Sequence, residues 1–278
     1  MNYQTIQIER QDSVARVILN RPDVRNAFNE LSIAEITQAF RELGGDDSVR
    51  VIVLAARGPV FCAGADLQWM KKMATYTHEE NRADAALLAE MLRTIYECPK
   101  PVIAKVQGDC YAGGMGLVAA CDIAVTVEDA HFCLSEVKIG LMPATISPYV
   151  IKAMGEHAAR RYFLTAEKFS AQEALRIGFV HQVVSTTVLD TLEGMANVQA
   201  TPDPLGAAVD AIVSSLLLAS PNAIKETKRL VRDVAGMPLT DDLIAGTVER
   251  IATIRESDEG REGVKAFLEK RKPSWLNK

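Results

Sequence analysis

Four short, mostly apolar runs, at 51–55, 102–106, 123–127 and 179–184, constrain this chain more than any other feature. A strand wetted on one face alternates apolar and polar residues, whereas a continuous apolar run is buried on both faces. Segments of helical periodicity separate these runs, which predicts parallel strands joined by helical crossovers in an α/β fold. Ahead of them, residues 3–9 and 14–20 alternate around Gln11, Asp12 and Ser13, as a hairpin does. Asn29 reads as the N-cap of a helix to about Leu43, with Ile33, Ile36, Phe40 and Leu43 near helical spacing and Gly44-Gly45 ending it. The stretch from Leu67 to about Tyr76 is Met-rich and holds Trp69, which suits a cover over an apolar ligand. Beyond His78 an amphipathic helix carries Leu88, Leu92 and Ile95 on one side until Pro99 and Pro101 stop it. From Ala171 the chain is helix-rich, with helices predicted over 171–177, 205–218, 222–234, 240–255 and 260–270.

At 278 residues, with 48% hydrophobic and 24% charged residues, the chain fits a soluble protein of one large core and an appendage. We expect a core over 1–200 and a helical region over 201–278. A net charge of −5 argues against nucleic acid as a partner, and no apolar run reaches the roughly 20 residues a membrane span requires. No secretory or transit pattern opens the sequence, so a cytoplasmic location is expected. The five cysteines form no CxxC pair or zinc spacing and read as buried reduced thiols, and His78, His131, His157 and His181 are scattered. No metal site is expected.

Two segments of small residues follow apolar runs: 61–66, which includes Ala63, Gly64 and Ala65, and 108–116, which includes Gly108, Gly113, Gly114 and Gly116. Such segments can leave backbone N–H groups unpaired, and two donors converging on one carbonyl oxygen form an oxyanion hole. Some twenty residues later Glu136 is a lone carboxylate in the apolar run 132–140. A polarised carbonyl beside one buried acid/base points to proton transfer at the carbon next to that carbonyl.

The ordered set of motifs resembles the enoyl-CoA hydratase/isomerase (crotonase) family over nearly the whole chain. It comprises Leu19 to Pro22 with Asn26-Ala27, Phe61 to Leu67, Lys100 to Ile103, Ala112 to Leu117, Cys121 to Ile123, Glu136 to Pro143, Ala171 to Ala174 with Gly178, and the ending from Gly263 to Pro273. The resemblance implies a spiral of ββα units with a C-terminal all-helical trimerisation region, assembled as a homotrimer or a hexamer. It places the two oxyanion-hole amides on Ala65 and Gly113, facing an acyl-CoA thioester, with Glu136 as the acid/base. It puts coenzyme A contacts on Arg25, Asn26, Ala27, Ala63 and Asp66, with Lys270 able to reach a neighbouring subunit's ligand. Coenzyme A would enter as part of the substrate, with no separate cofactor.

Hydratases of this family that use two glutamates carry the other one three residues after the oxyanion-hole glycine, where this chain has Gly116. One carboxylate suits a proton shuttle, so a Δ3/Δ2-enoyl-CoA isomerase is the alternative to a hydratase. A scaffold that binds coenzyme A without turnover is the second alternative. The strings at 61–73 and 132–143, with Ile146 to Pro148, are similar to the bacterial 3-methylglutaconyl-CoA hydratase branch, which favours hydration of a branched enoyl-CoA. Trp69, Met70, Met73 and Met142 are candidate acyl-pocket walls or core, and Phe132, Val137 and Ile139 are expected to surround Glu136 and raise its pKa.

Overall fold

A computed structural model describes residues 3–186 and 203–276. In chain order it contains β1 (Ile6–Gln11), β2 (Val14–Leu19), α1 (Glu30–Gly45), β3 (Val51–Ala56), α2 (Leu67–Met73), α3 (His78–Tyr96) and β4 (Val102–Val106). There follow β5 (Cys110–Tyr111), α4 (Gly113–Ala120), β6 (Ile123–Val127), β7 (His131–Cys133), α5 (Ser147–Thr165), β8 (Phe169–Ser170), α6 (Ala171–Arg176) and β9 (Gln182–Val184). The helices α7 (Pro204–Leu218), α8 (Pro221–Val234), α9 (Asp241–Glu256) and α10 (Asp258–Leu268) complete it.

The main sheet has the order β1-β2-β3-β4-β6-β9. The β1–β2 hairpin is antiparallel, with Ile6 opposite Leu19, and every later pairing is parallel. The predicted crossovers are therefore present, and the central strands are sealed on both faces: Ile52, Leu54, Ile103 and Val125 are fully buried. Helix α1 starts where expected, Asn29 accepting the Ser32 N–H at 3.0 Å, and lays Ile33, Ile36, Phe40 and Leu43 into the core. A second, three-stranded sheet, β5-β7-β8, carries the two segments that will matter for chemistry.

The fourth apolar run differs from expectation. Only Gln182–Val184 pairs with β6, while Phe179 and Val180 are buried in a turn. Gly178 at φ 79° reverses the chain there, and the N–H groups of Phe179 and Val180 donate to the Ala174 carbonyl. Helix α5 has no counterpart among the predicted helices. Gly155, at φ 77° within it, breaks its apolar pattern into two short pieces.

Helix α7 lies across β3, β4, β6 and β9 and buries Leu205, Val209 and Val213. Among the described residues of α8, α9 and α10, Ala266 is the one buried side chain. The expected division at 200/201 falls within 187–202, outside the described residues. Among the described residues no single helix is long and apolar enough to cross a membrane.

One ion pair fastens α8 to the core. Lys228 Nζ donates to the Asp122 carboxylate at 2.7 Å and to the Lys100 carbonyl at 3.1 Å, and Asp122 also accepts the Val102 N–H at 2.7 Å. Burial pushes the Asp122 carboxyl above its ordinary range, and Lys228 opposes that shift. Lys228→Met, which leaves Asp122 buried without its counter-charge, is expected to cost about 3 kcal/mol in urea unfolding. Adding Asp122→Asn should recover part of that loss.

Candidate active site

Phe28 organises the site. Its N–H donates to the Gly64 carbonyl at 2.9 Å, and its own carbonyl accepts the Asp66 N–H at 3.0 Å. In a parallel bridge of this kind the residue between the two bonded positions, here Ala65, turns its N–H to the opposite side. Among the described residues that N–H has no acceptor. The bridge requires Gly64 at φ 93°, a conformation costly for any residue with a Cβ.

The neighbouring segment runs alongside. Phe61 N–H donates to the Asp109 carbonyl at 3.0 Å and Tyr111 N–H to the Cys62 carbonyl at 2.9 Å. Ala112 then sits at φ 48°, ψ −124°, rarely populated by a non-glycine residue, with its N–H held by the Cys133 carbonyl at 2.8 Å. This sharp turn starts α4 at Gly113. The N–H of a first helical residue has no intrahelical acceptor, and that of Gly113 has none elsewhere among the described residues. It lies at the positive end of the helix dipole. A Cβ on Gly113 would stand 2.4 Å from Phe28 Cζ, and one on Gly64 would stand 3.6 Å from the Gly113 nitrogen. Two unpaired amides are thus brought together around one phenylalanine.

Glu136 opens a 3-10 turn, Glu136–Ile139, just after β7. Its Oε2 is buried with no hydrogen-bond partner among the described residues, and burial raises its pKa, opposed by its own backbone N–H. A buried polar atom without a partner is rare in a folded protein, Gln107 Oε1 being the other such atom among the described residues, and this makes Glu136 a candidate for ligand contact or catalysis. No ion pair with Lys138 is found among the described residues, and Lys138 does not figure in the Glu136 shift. The expected apolar surround is only partly present: Phe132 is fully buried, but Val137 and Ile139 are 38% and 59% exposed. The tight turn points those two side chains outward.

The coenzyme A candidates divide into frame and surface. Asn26, only 3% exposed, donates from Nδ2 to the Arg57 and Val60 carbonyls at 2.8 Å each and accepts the Arg21 N–H at 2.9 Å. Asp66 caps α2 through Gln68 N–H at 2.7 Å and pairs with Arg21 at 2.7 Å. Burial raises the Asp66 pKa, yet Arg21 and the cap outweigh it and the net shift is downward. The Asn26 side chain thus ties the 21–26 turn to residues 57–60, and the Asp66 side chain ties it to the 63–66 segment. Ala27 is buried, and the Ala63 N–H donates to the Arg25 carbonyl at 3.0 Å. Arg25 is exposed in a left-handed turn and has no ion pair among the described residues. Lys270, at φ 54° beyond α10, makes no described contact with any of these residues.

Trp69 belongs to the core, 3% exposed, its ring 5.9 Å from that of Phe28 and its Nε1 donating to Asp84 at 3.0 Å. Met142 is 76% exposed beside the Glu136 turn in sequence. Cys62 is not a nucleophile: it is buried, its Sγ donates to the Asn26 carbonyl at 3.2 Å, and burial pushes its pKa to about 12. A cavity of about 700 Å³ lies elsewhere, lined among others by Tyr96, Tyr149, Lys152 and His181.

This arrangement agrees with comparisons to known proteins. The sequence model for "Enoyl-CoA hydratase/isomerase" matches residues 9–278. The chain belongs to the enoyl-CoA hydratase/isomerase family. A Thermus thermophilus protein that carries the name enoyl-CoA hydratase is 33% identical over 97% of this chain and 100% of its own length. An enoyl-CoA hydratase of Alternaria alternata is 31% identical over 94% of this chain and 80% of its own. The crystal structure of an enoyl-CoA hydratase from Shewanella pealeana superposes with a TM-score of 0.90 at 40% identity, covering 98% of this chain and 96% of that one. The mixed α/β crotonase fold follows from this match.

Phe28 and Arg21 were not singled out from sequence. Arg21 lies within the motif Leu19 to Pro22 and Phe28 directly follows Asn26-Ala27, but nothing in their local pattern tells a clamp from an ordinary core or surface residue. Gly113→Ala is expected to drive a methyl into the Phe28 ring, costing about 1–3 kcal/mol of stability in chemical denaturation. Because Glu136 is held with a raised pKa, its ionisation destabilises the fold as pH climbs from the unfolded value of about 4.3 through the raised folded one. Glu136→Gln should therefore melt above the parent protein at pH 7 in calorimetry, with the gap closing toward pH 4.

Proposed function

We propose that this chain hydrates the double bond of an α,β-unsaturated acyl-CoA thioester. The observation that carries this reading is the pair of amides, Ala65 and Gly113, and the buried carboxylate oxygen of Glu136 on an adjoining turn, all without partners among the described residues. The two N–H groups receive the thioester oxygen and stabilise the enolate as charge builds there, each donor contributing about 2.7–4 kcal/mol. Glu136 takes a proton from water as the water oxygen bonds to C3, then delivers that proton to C2 of the enolate. Hydrogen and hydroxyl are thereby added and the carboxylate is regenerated. A raised pKa makes Glu136 a stronger base while keeping proton exchange accessible near neutral pH.

Relatives named enoyl-CoA hydratase support this assignment. Within the class, a branched substrate such as 3-methylglutaconyl-CoA is our first choice, on the strength of the motif strings around Ala65 and Glu136. Arg25, exposed beside the Ala63 segment and without an ion pair among the described residues, is assigned to a coenzyme A phosphate. We also assign the chain to a homotrimer or a dimer of trimers. The exposed Val248, Phe267 and Leu268 on α9 and α10 support that assignment. A Δ3/Δ2 isomerase is retained as a second reading because Gly116 supplies no second carboxylate.

Loss of enoyl-thioester absorbance with 3-methylglutaconyl-CoA or crotonyl-CoA is the expected result, whereas a gain with a 3-enoyl-CoA would favour the isomerase. Glu136→Gln should lower kcat about a thousandfold while coenzyme A binding persists, and retained turnover would reject the assignment. Arg25→Ala should raise KM about tenfold with little change in kcat.

A further inference from the structure

Gly116 lies one turn beyond Gly113 on α4, facing an occupied space. A Cβ there would stand 2.4 Å from Ile146 Cγ2 and 2.8 Å from Ile146 Cβ, with Leu92 Cδ2 at 3.5 Å. Approaches that close force one partner to move. Ile146 is poorly able to do so. It is 2% exposed, and its carbonyl accepts the N–H groups of Tyr149 and Val150 at 3.1 Å each as α5 begins. Its β-branched side chain has few χ1 alternatives. Just before it the chain is tied down again, Ser147 Oγ and N–H both donating to the Ala144 carbonyl. Helix α5, which Ile146 leads into, packs against α4 and against the turn that bears Glu136. Across that junction, Glu136 Oε2 has no polar partner among the described residues.

We propose that Ile146 is a positioning residue that keeps this a one-carboxylate site. Its side chain fills the room that any side chain at 116 needs, so no second acid can stand on α4 one turn from the Gly113 amide. The adding water is consequently oriented by Glu136 and the substrate alone. The catalytic half of this inference rests on the acyl-CoA reading above; the packing half stands on the Gly116–Ile146 contact. A carboxylate at 116 becomes compatible with the fold only once Ile146 is cut back.

Two measurements on the full-length protein test it. In thermal unfolding, Gly116→Ala should lower Tm by about 5 °C in the parent background and by no more than about half as much in an Ile146→Ala background, where the Cγ2 contact is gone and only the Cβ contact remains. Equal losses in both backgrounds would overturn the packing claim. In kinetics, Gly116→Glu combined with Ile146→Ala should add a second ionisation to the pH profile of kcat/KM for crotonyl-CoA, one that Ile146→Ala alone lacks. A profile superimposable on that of Ile146→Ala would overturn the catalytic claim, since a purely structural role leaves it unmoved. If the parent protein hydrates and isomerises no enoyl-CoA, the functional reading fails, and the Tm comparison still decides whether Ile146 guards Gly116.

Discussion

The backbone bridge between Phe28 and Ala65, with the Phe28 ring pressed on Gly113, is the constraint on which the candidate site depends. One residue acts in two directions. Its main chain brackets Ala65 and turns that amide away from the ladder, and its ring sets how near the start of α4 can come. Donors that must meet one oxygen need sub-ångström placement, which a loop alone does not provide. Here they are fixed by a strand bridge on one side and by aromatic contact on the other. Arg21 and Asn26 brace the same segment from behind, through Asp66 and the Arg57 and Val60 carbonyls.

The site holds features that oppose folding. Ala112 occupies a sparsely allowed backbone region, and among the described residues two amides lack partners and a carboxylate oxygen is buried with none. Each is unfavourable by itself, and they persist because a sheet with α1 and α7 against it, and α3 packed on α1 and α4, over-determines the local geometry. Strain beside unpaired donors is the expected signature of a surface organised for a charge that exists only while bond making is under way.

Much of the fold was legible because its signals are local and periodic. The hairpin, β4 and β6 stand where alternation or continuous apolarity puts them, and Asn29 caps α1 through its own side chain. Helix α5 was not legible because a left-handed glycine divides its pattern, and β5, β7 and β8 span two or three residues, too few for any period. Glu136 was conspicuous as one acid in an apolar run, but its assumed walls Val137 and Ile139 face outward, since a 3-10 turn does not alternate as a strand does. Asn26 and Asp66 were placed by position in segments whose backbone would meet the ligand, and the structure adds that their side chains are bonded within the protein, Asn26 to the Arg57 and Val60 carbonyls and Asp66 to Arg21.

By itself the sequence determined the family, the parallel α/β architecture and the residue types available for chemistry: small residues that free their amides, and one carboxylate. Those properties belong to short stretches of chain and survive being read one window at a time. Tertiary structure alone decided that Phe28 joins Ala65 to Gly113, that Glu136 Oε2 is buried with no partner among the described residues, and that Ile146 occupies the space beside Gly116. These are contacts between residues 30 or more positions apart, or between a side chain and the emptiness left by a missing one, and excluded volume in three dimensions has no one-dimensional trace.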